Sequence, residues 1–178
     1  MANPKKFVAL LRGINVGGHK KVPMAELRTA FEKWGFTNVK TLLASGNVVF
    51  EGSQSDTKKI ESNLEQHFGF EISTIIIPFE DVEKIVNSDP FKGIEVTKNI
   101  HLYITFLKDK PTSKLEIPYT SDDKSFTILK KTDHAVLSIL DIDKRGTVDA
   151  MKILEQEFGK NITTRNYNTV VKISQITS

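Results

Sequence analysis

The 178-residue sequence predicts an α+β protein made of two ferredoxin-like halves of the βαββαβ type. Each half is expected to have an antiparallel sheet with its helices packed on one face. Three observations lead there. The first 78 residues read as six elements in the order β-α-β-β-α-β. The stretch from Ile100 onward repeats much of that order. Three helical stretches end on an aromatic residue followed by glycine, at Trp34-Gly35, Phe68-Gly69 and Phe158-Gly159, an echo that two halves explain and that an aromatic anchor with a glycine cap explains as well.

The elements of the first half follow from local pattern. Phe7–Leu11 is a continuous apolar run before Arg12, a buried strand. Gly13 to Lys21 is a loop rich in Gly and Lys. Pro23 suits the first position of a helix. Met24, Leu27, Phe31 and Trp34 then fall on one helical face, with Arg28 and Glu32 paired on the other. Gly35 ends that helix in the left-handed region. Val39–Ala44 and Val48–Glu51 read as strands joined by a hairpin turn at Ser45-Gly46-Asn47. Ser53 or Ser55 is expected to cap a second helix with Ile60, Leu64, His67 and Phe68 inward. His67 is expected to be a partly buried core residue. The β-branched run Phe70–Ile77 is a strand stopped by Pro78.

Residues 79–99 are expected to be a helix and a connector. Phe79, Val82, Ile85 and Val86 share the helix face, and Asp89-Pro90 ends it. In the second half, residues 100–178, Ile100–Leu107 alternates as a strand. Residues 111–117 suggest a short helix. Phe126–Lys131 and Ala135–Leu140 form a hairpin. Thr147 is the expected cap of a helix with Met151, Leu154 and Phe158 inward. Ile162–Arg165 reads as extended, with Asn166 or Asn168 capping a last helix through Val170 and Ile173. Residues 108–124 and 160–178 are weakly patterned, so the second half is open to being incomplete.

Composition narrows the function classes. There are no cysteines, which excludes disulfides, thiolate metal sites and a Cys nucleophile. No cofactor is implied. The apolar run Phe7–Leu11 falls far short of the ~18 residues of a membrane span, and no signal peptide is visible, so a cytoplasmic location is expected. The net charge of +3 is uneven: residues 1–50 carry eight Lys/Arg against two Glu, net +6, whereas residues 51–100 are net −5. Such polarity suits a basic ligand-binding face as well as ordinary solvated charge.

Two segments carry the binding chemistry. In Arg12-Gly-Ile-Asn-Val-Gly-Gly-His-Lys-Lys21, glycines free the backbone N–H groups to face an anion, and the cations add charge. The candidate phosphate-binding residues here are Arg12, Asn15, Gly17, Gly18, Lys20 and Lys21. It is not a P-loop: His19 and Lys20 stand where Lys and Ser/Thr are required. In Thr163-Thr-Arg-Asn-Tyr-Asn168, the candidates are Thr164, Arg165 and Asn168, Arg165 because guanidinium binds oxyanions through two parallel hydrogen bonds. A cap-rich turn with Tyr167 buried explains the same residues. Arg12, Asn15, Lys20 and Arg165 are expected to line one pocket. Ser45–Asn47 is expected at the opposite sheet end, about 17–20 Å away, as a plain turn.

Other motifs fail on chemistry. Asp141-Ile-Asp143-Lys-Arg145-Gly146 begins like a calcium loop, but Arg145 and Lys152 replace the acids that such a loop needs. The four histidines have no metal spacing, and no metal site is expected. The third strand, Asn47-Val-Val-Phe50, lacks the aromatic platform of an RNA-recognition motif.

Phe7-Val-Ala-Leu-Leu-Arg-Gly-Ile-Asn-Val-Gly-Gly18, Met24-Ala-Glu-Leu-Arg28, Ser45-Gly-Asn-Val-Val-Phe50 and Thr164-Arg-Asn-Tyr-Asn-Thr169 together resemble a bacterial family of small proteins known only as a domain of unknown function. The resemblance runs from Phe7 to about Lys172. It implies a bacterial cytoplasmic protein of ferredoxin-like units and no particular reaction. Tyr167 stands where the family often has Trp.

The expected function is therefore a binding module for a phosphate-bearing ligand, nucleic acid or nucleotide. The alternatives are a phosphoryl-transfer or hydrolytic enzyme and a protein-interaction or homo-oligomer-forming module.

Overall fold

The computed structural model describes residues 3–53, 56–144 and 149–177. It is an α+β fold with antiparallel sheets, and the chain divides into two compact units: residues 1–87 with 172–178, and residues 88–171.

The first unit runs β1 (Lys5–Leu11), α1 (Met24–Lys33), β2 (Thr37–Leu42), β3 (Asn47–Gly52), α2 (Thr57–Phe68), β4 (Thr74–Pro78) and α3 (Phe79–Asn87). Its four strands lie in the order β2-β3-β1-β4, every pair antiparallel. Pro23 is the N-cap of α1, one residue earlier than its expected place, and Arg28 Nε bonds Glu32 Oε1 at 3.0 Å on the outer face. Asp56 caps α2 by accepting from Lys59 N at 3.2 Å, a role expected of Ser53 or Ser55; Ser55 lies outside the described residues. Gly69 closes α2 in the left-handed region, with φ 82°.

The sheet is buried on both faces. Ala9, Leu11, Val48 and Phe50 pack against Leu27 and Phe31 of α1 and Ile60 and Leu64 of α2. Alternation sends Val8, Leu10 and Val49 to the other side, where they are buried too. There α3 packs on β1 and β4, and Lys6 Nζ sits 3.7 Å from the centroid of the Phe79 ring. The two helices within residues 1–78, α1 and α2, share one face as expected, and α3, from the expected connector, covers the other. His67 is an exposed residue at the rim of α2, bonded to Glu26 Oε1 at 3.0 Å, not a core residue.

The second unit contains β5 (Ile100–Leu107), β6 (Tyr119–Thr120), β7 (Phe126–Lys131), β8 (Ala135–Asp141), a 3₁₀ turn at Ile142–Lys144, α4 (Ala150–Phe158) and β9 (Ile162–Asn166). Helix α5 (Tyr167–Ser174) begins here, and residues from Lys172 onward group with the first unit. The strand order is β6-β7-β8-β5-β9, again antiparallel. The expected helix over 111–117 does not form. Leu115, Ile117 and Tyr119 all pack on the core of this unit, and that period of two is the signature of an extended chain. Asp149 caps α4 by accepting from Lys152 N at 3.2 Å; Thr147 and Arg145 lie outside the described residues. Ser138 in β8 is fully buried, and its hydroxyl has no hydrogen-bond partner among the described residues.

Candidate functional site

The loop after β1 is a small hairpin. Arg12 N donates to Ser73 O at 2.9 Å, and Asn15 N donates to Lys20 O at 3.1 Å. His19 N closes the tip on Val16 O at 3.0 Å. Gly17 and Gly18 both have positive φ, 59° and 77°, as the two central residues of a type I′ turn require. Their N–H groups have no partner among the described residues. Ile14 and Val22 are buried at the base, whereas Val16, His19, Lys20 and Lys21 are exposed and Arg12 is half-buried.

Asn15 holds this hairpin in place. Its Nδ2 donates to Val22 O at 3.0 Å and to Ala44 O at 2.8 Å, while its Oδ1 accepts from Val22 N at 2.8 Å. The side chain expected to bind an anion is thus spent on the protein's own backbone. Lys20 Nζ gives one hydrogen bond to Glu71 O at 2.9 Å.

The turn at Ser45-Gly46-Asn47 lies beside this loop, contrary to the expected separation. Because β1 and β3 are antiparallel, the end of β1 faces the start of β3, and Leu10 pairs with Asn47. Leu11 N donates to Gly46 O at 2.9 Å. A Cβ on Gly46 would sit 2.6 Å from Ile14 Cδ1 and 2.9 Å from Leu11 Cβ, so only glycine fits the junction. Asn47 is fully buried and donates to Leu42 O at 2.7 Å and Ser45 Oγ at 3.1 Å. Two loops therefore form one platform at one end of the first sheet, with Val16 and Leu43 exposed upon it.

The segment Thr163–Asn168 belongs to the second unit and splits in two. Arg165 is 7% exposed; its Nη1 donates to Thr163 Oγ1 at 2.7 Å and to Thr164 O at 3.2 Å. Burial lowers its pKa to about 10, which leaves the guanidinium charged at neutral pH. Thr164 Oγ1 shares a 2.8 Å hydrogen bond with Thr105 Oγ1 of the neighbouring strand. Asn166 Oδ1 accepts from Asn168 N at 2.9 Å, and the Tyr167 ring packs edge-on against Phe91 with centroids 4.9 Å apart. Burial, then Asp89, raises the Tyr167 pKa.

The platform's fixing partners were invisible to sequence reasoning. Ala44, Glu71 and Ser73 contribute backbone carbonyls, which carry no side-chain signal. Among the described residues, no group of three His, Cys, Asp or Glu is arranged to hold a metal ion, and no helix is long and apolar enough to cross a membrane.

The chain resembles the structure of the conserved bacterial protein SP0830 from Streptococcus pneumoniae. The two share 24% sequence identity over 97% of this chain and 98% of that one, with a TM-score of 0.70. No curated protein matches the sequence. The sequence model of one family matches residues 5–131, which hold both loops of the platform, and on that match the chain belongs to DUF1697, a family of proteins of unknown function.

Proposed function

We propose that the protein is a binding module for a phosphate-bearing ligand, nucleic acid or nucleotide, and that the two-loop platform is its contact surface. The observation that carries this reading is the Asn15 clamp. It stiffens a loop whose tip exposes the N–H groups of Gly17 and Gly18, unpartnered among the described residues, beside His19, Lys20 and Lys21. A loop already held in shape loses little conformational entropy on binding, so more of the contact energy appears as affinity. Anions suit such a tip, because free N–H groups and ammonium groups are all donors.

The sheet of the first unit is a poorer candidate for base stacking, since Val8, Leu10 and Val49 are buried on one face and Ala9 and Leu11 on the other. The strand order β2-β3-β1-β4 supports reading the first unit as ferredoxin-like. The order β7-β8-β5-β9 supports the same reading for the second, with an irregular segment in place of its first helix. The lack of cysteine is consistent with a cytoplasmic protein.

Fluorescence polarisation with labelled single- and double-stranded RNA and DNA, followed by competition with mononucleotides, tests the proposal. Binding should weaken steeply with added salt. Replacing Lys20 and Lys21 together with Glu should abolish it while leaving the thermal midpoint nearly unchanged. Absence of binding to all four polymers and to mononucleotides at low salt would overturn the reading.

A further inference from the structure

The second unit holds a cleft of about 270 Å³ lined by Thr97, Lys98, His101, Asn166, Tyr167 and Asn168 among others; no acidic residue stands among its described lining residues, and the Asp89 carboxylate acts on the Tyr167 hydroxyl from outside that lining. It lies within one unit and owes nothing to the platform of the first. Two of its polar side chains are half-buried and fixed. The His101 ring stacks on Tyr103 with centroids 6.2 Å apart, and the Tyr167 ring is held against Phe91. Neither the ring nitrogens of His101 nor the Tyr167 hydroxyl has a hydrogen-bond partner among the described residues, and the Lys98 ammonium has none either. Lys98 is exposed and His101 and Tyr167 are half-buried, so their donors are open to the cleft and available to an incoming acceptor. The Tyr167 phenol, its pKa raised by burial and by Asp89, is a neutral O–H donor at physiological pH.

We propose that this cleft is a binding site for a compact phosphomonoester, with Lys98, His101, Tyr167 and the amides of Asn166 and Asn168 as its donors. A phosphoryl group has three terminal oxygens and takes five donors comfortably, whereas a carboxylate offers about four lone-pair sites on two oxygens. At about 270 Å³ the cleft falls just below the range of about 300–1,000 Å³ that drug-sized ligands occupy, so it suits only a compact ligand. The proposal also divides the labour of the Thr163–Asn168 segment. Its first three residues stiffen the strand from within, and its last three face the ligand.

The test is a titration of the ¹⁵N-labelled full chain, followed by NMR, with glycerol phosphate, inorganic phosphate and acetate in separate arms. Saturable shifts confined to residues 97–101 and 166–168 are expected with glycerol phosphate, and weaker ones with inorganic phosphate. Lys98→Ala and Tyr167→Phe should each weaken binding by about tenfold or more. Tyr167→Phe removes only the hydroxyl, so its spectrum also reports whether the fold is kept. Replacing Lys20 and Lys21 with Ala should leave these shifts untouched, which separates this site from the platform. Acetate binding as tightly as glycerol phosphate, shifts only in residues 12–21, or no shifts up to about 10 mM would each overturn the proposal.

Discussion

Asn15 and Ala44, 29 residues apart in sequence, are joined by a 2.8 Å hydrogen bond from the Asn15 amide to the Ala44 carbonyl. The same side chain closes its own loop through both the N–H and the carbonyl of Val22. Asn15 holds a φ of 55°, in the left-handed region that Asn tolerates better than most residues.

Asn15→Ala removes three hydrogen bonds and puts a less tolerant residue at that φ. It should cost about 2–4 kcal/mol of stability, read from urea denaturation. Asn15→Asp keeps the acceptor for Val22 N but sets a carboxylate oxygen against the Val22 and Ala44 carbonyl oxygens, and should cost at least as much as the alanine change. If the alanine variant is as stable as the native chain, the clamp has no energetic role.

The glycines of the two loops should respond differently to alanine. At Gly46 a Cβ collides with Ile14 and Leu11, and φ is 84°. Gly46→Ala should destabilise by about 3 kcal/mol or more, the sum of overpacking and left-handed strain. At Gly18 nothing lies within 4 Å of the added Cβ, so only the φ of 77° counts against it. Its cost should be about 1–2 kcal/mol. Equal costs at the two positions would mean that the packing between the loops is loose.

Arg165 is a stabilising residue of the second unit. Its guanidinium is buried and bonded to Thr163 and Thr164, so Arg165→Ala should lower stability by about 2–4 kcal/mol. Anion affinity at the platform should be unchanged. A stable Arg165→Ala variant with weakened anion binding would reverse this assignment.

Ser138 offers a test of opposite sign. Its hydroxyl is fully buried without a hydrogen-bond partner among the described residues. Ser138→Ala removes a polar group that was dehydrated without compensation, and should raise stability by about 1 kcal/mol. A drop in the thermal midpoint would show that the hydroxyl has a partner, such as a buried water.

Local pattern carried much of the fold. Strand Ile100–Leu107, the hairpin partners beginning at Phe126 and Ala135, and the glycine stops at Gly69 and Gly159 all stand where periodicity and turn chemistry set them. Pattern failed over 111–117 because alternating Leu115 and Ile117 carry too few apolar positions to tell a period of two from a helical turn. It missed the N-caps of α2 and α4 by a residue or more, since neighbouring Ser, Thr and Asp side chains are equally able to cap and only the backbone path chooses among them, whereas Asn166 stands where expected before α5 and accepts from Asn168 N.

The sequence by itself determined the element order of the first unit, the basic N-terminal third, the absence of thiol chemistry and the resemblance to a family of unknown function. Only the tertiary structure decided what the polar residues of its motifs do. Arg, Asn and Thr side chains bond a ligand or the protein's own backbone with the same atoms, so residue type cannot separate the two uses. Burial and the position of carbonyls distant in sequence separate them: Asn15 and Arg165 turn inward, and Lys21, His101 and Tyr167 are left facing solvent or a cleft. The same holds for the meeting of the Gly17-Gly18 hairpin with the Gly46 turn, which follows from antiparallel pairing of β1 with β3 and from no local signal in either loop.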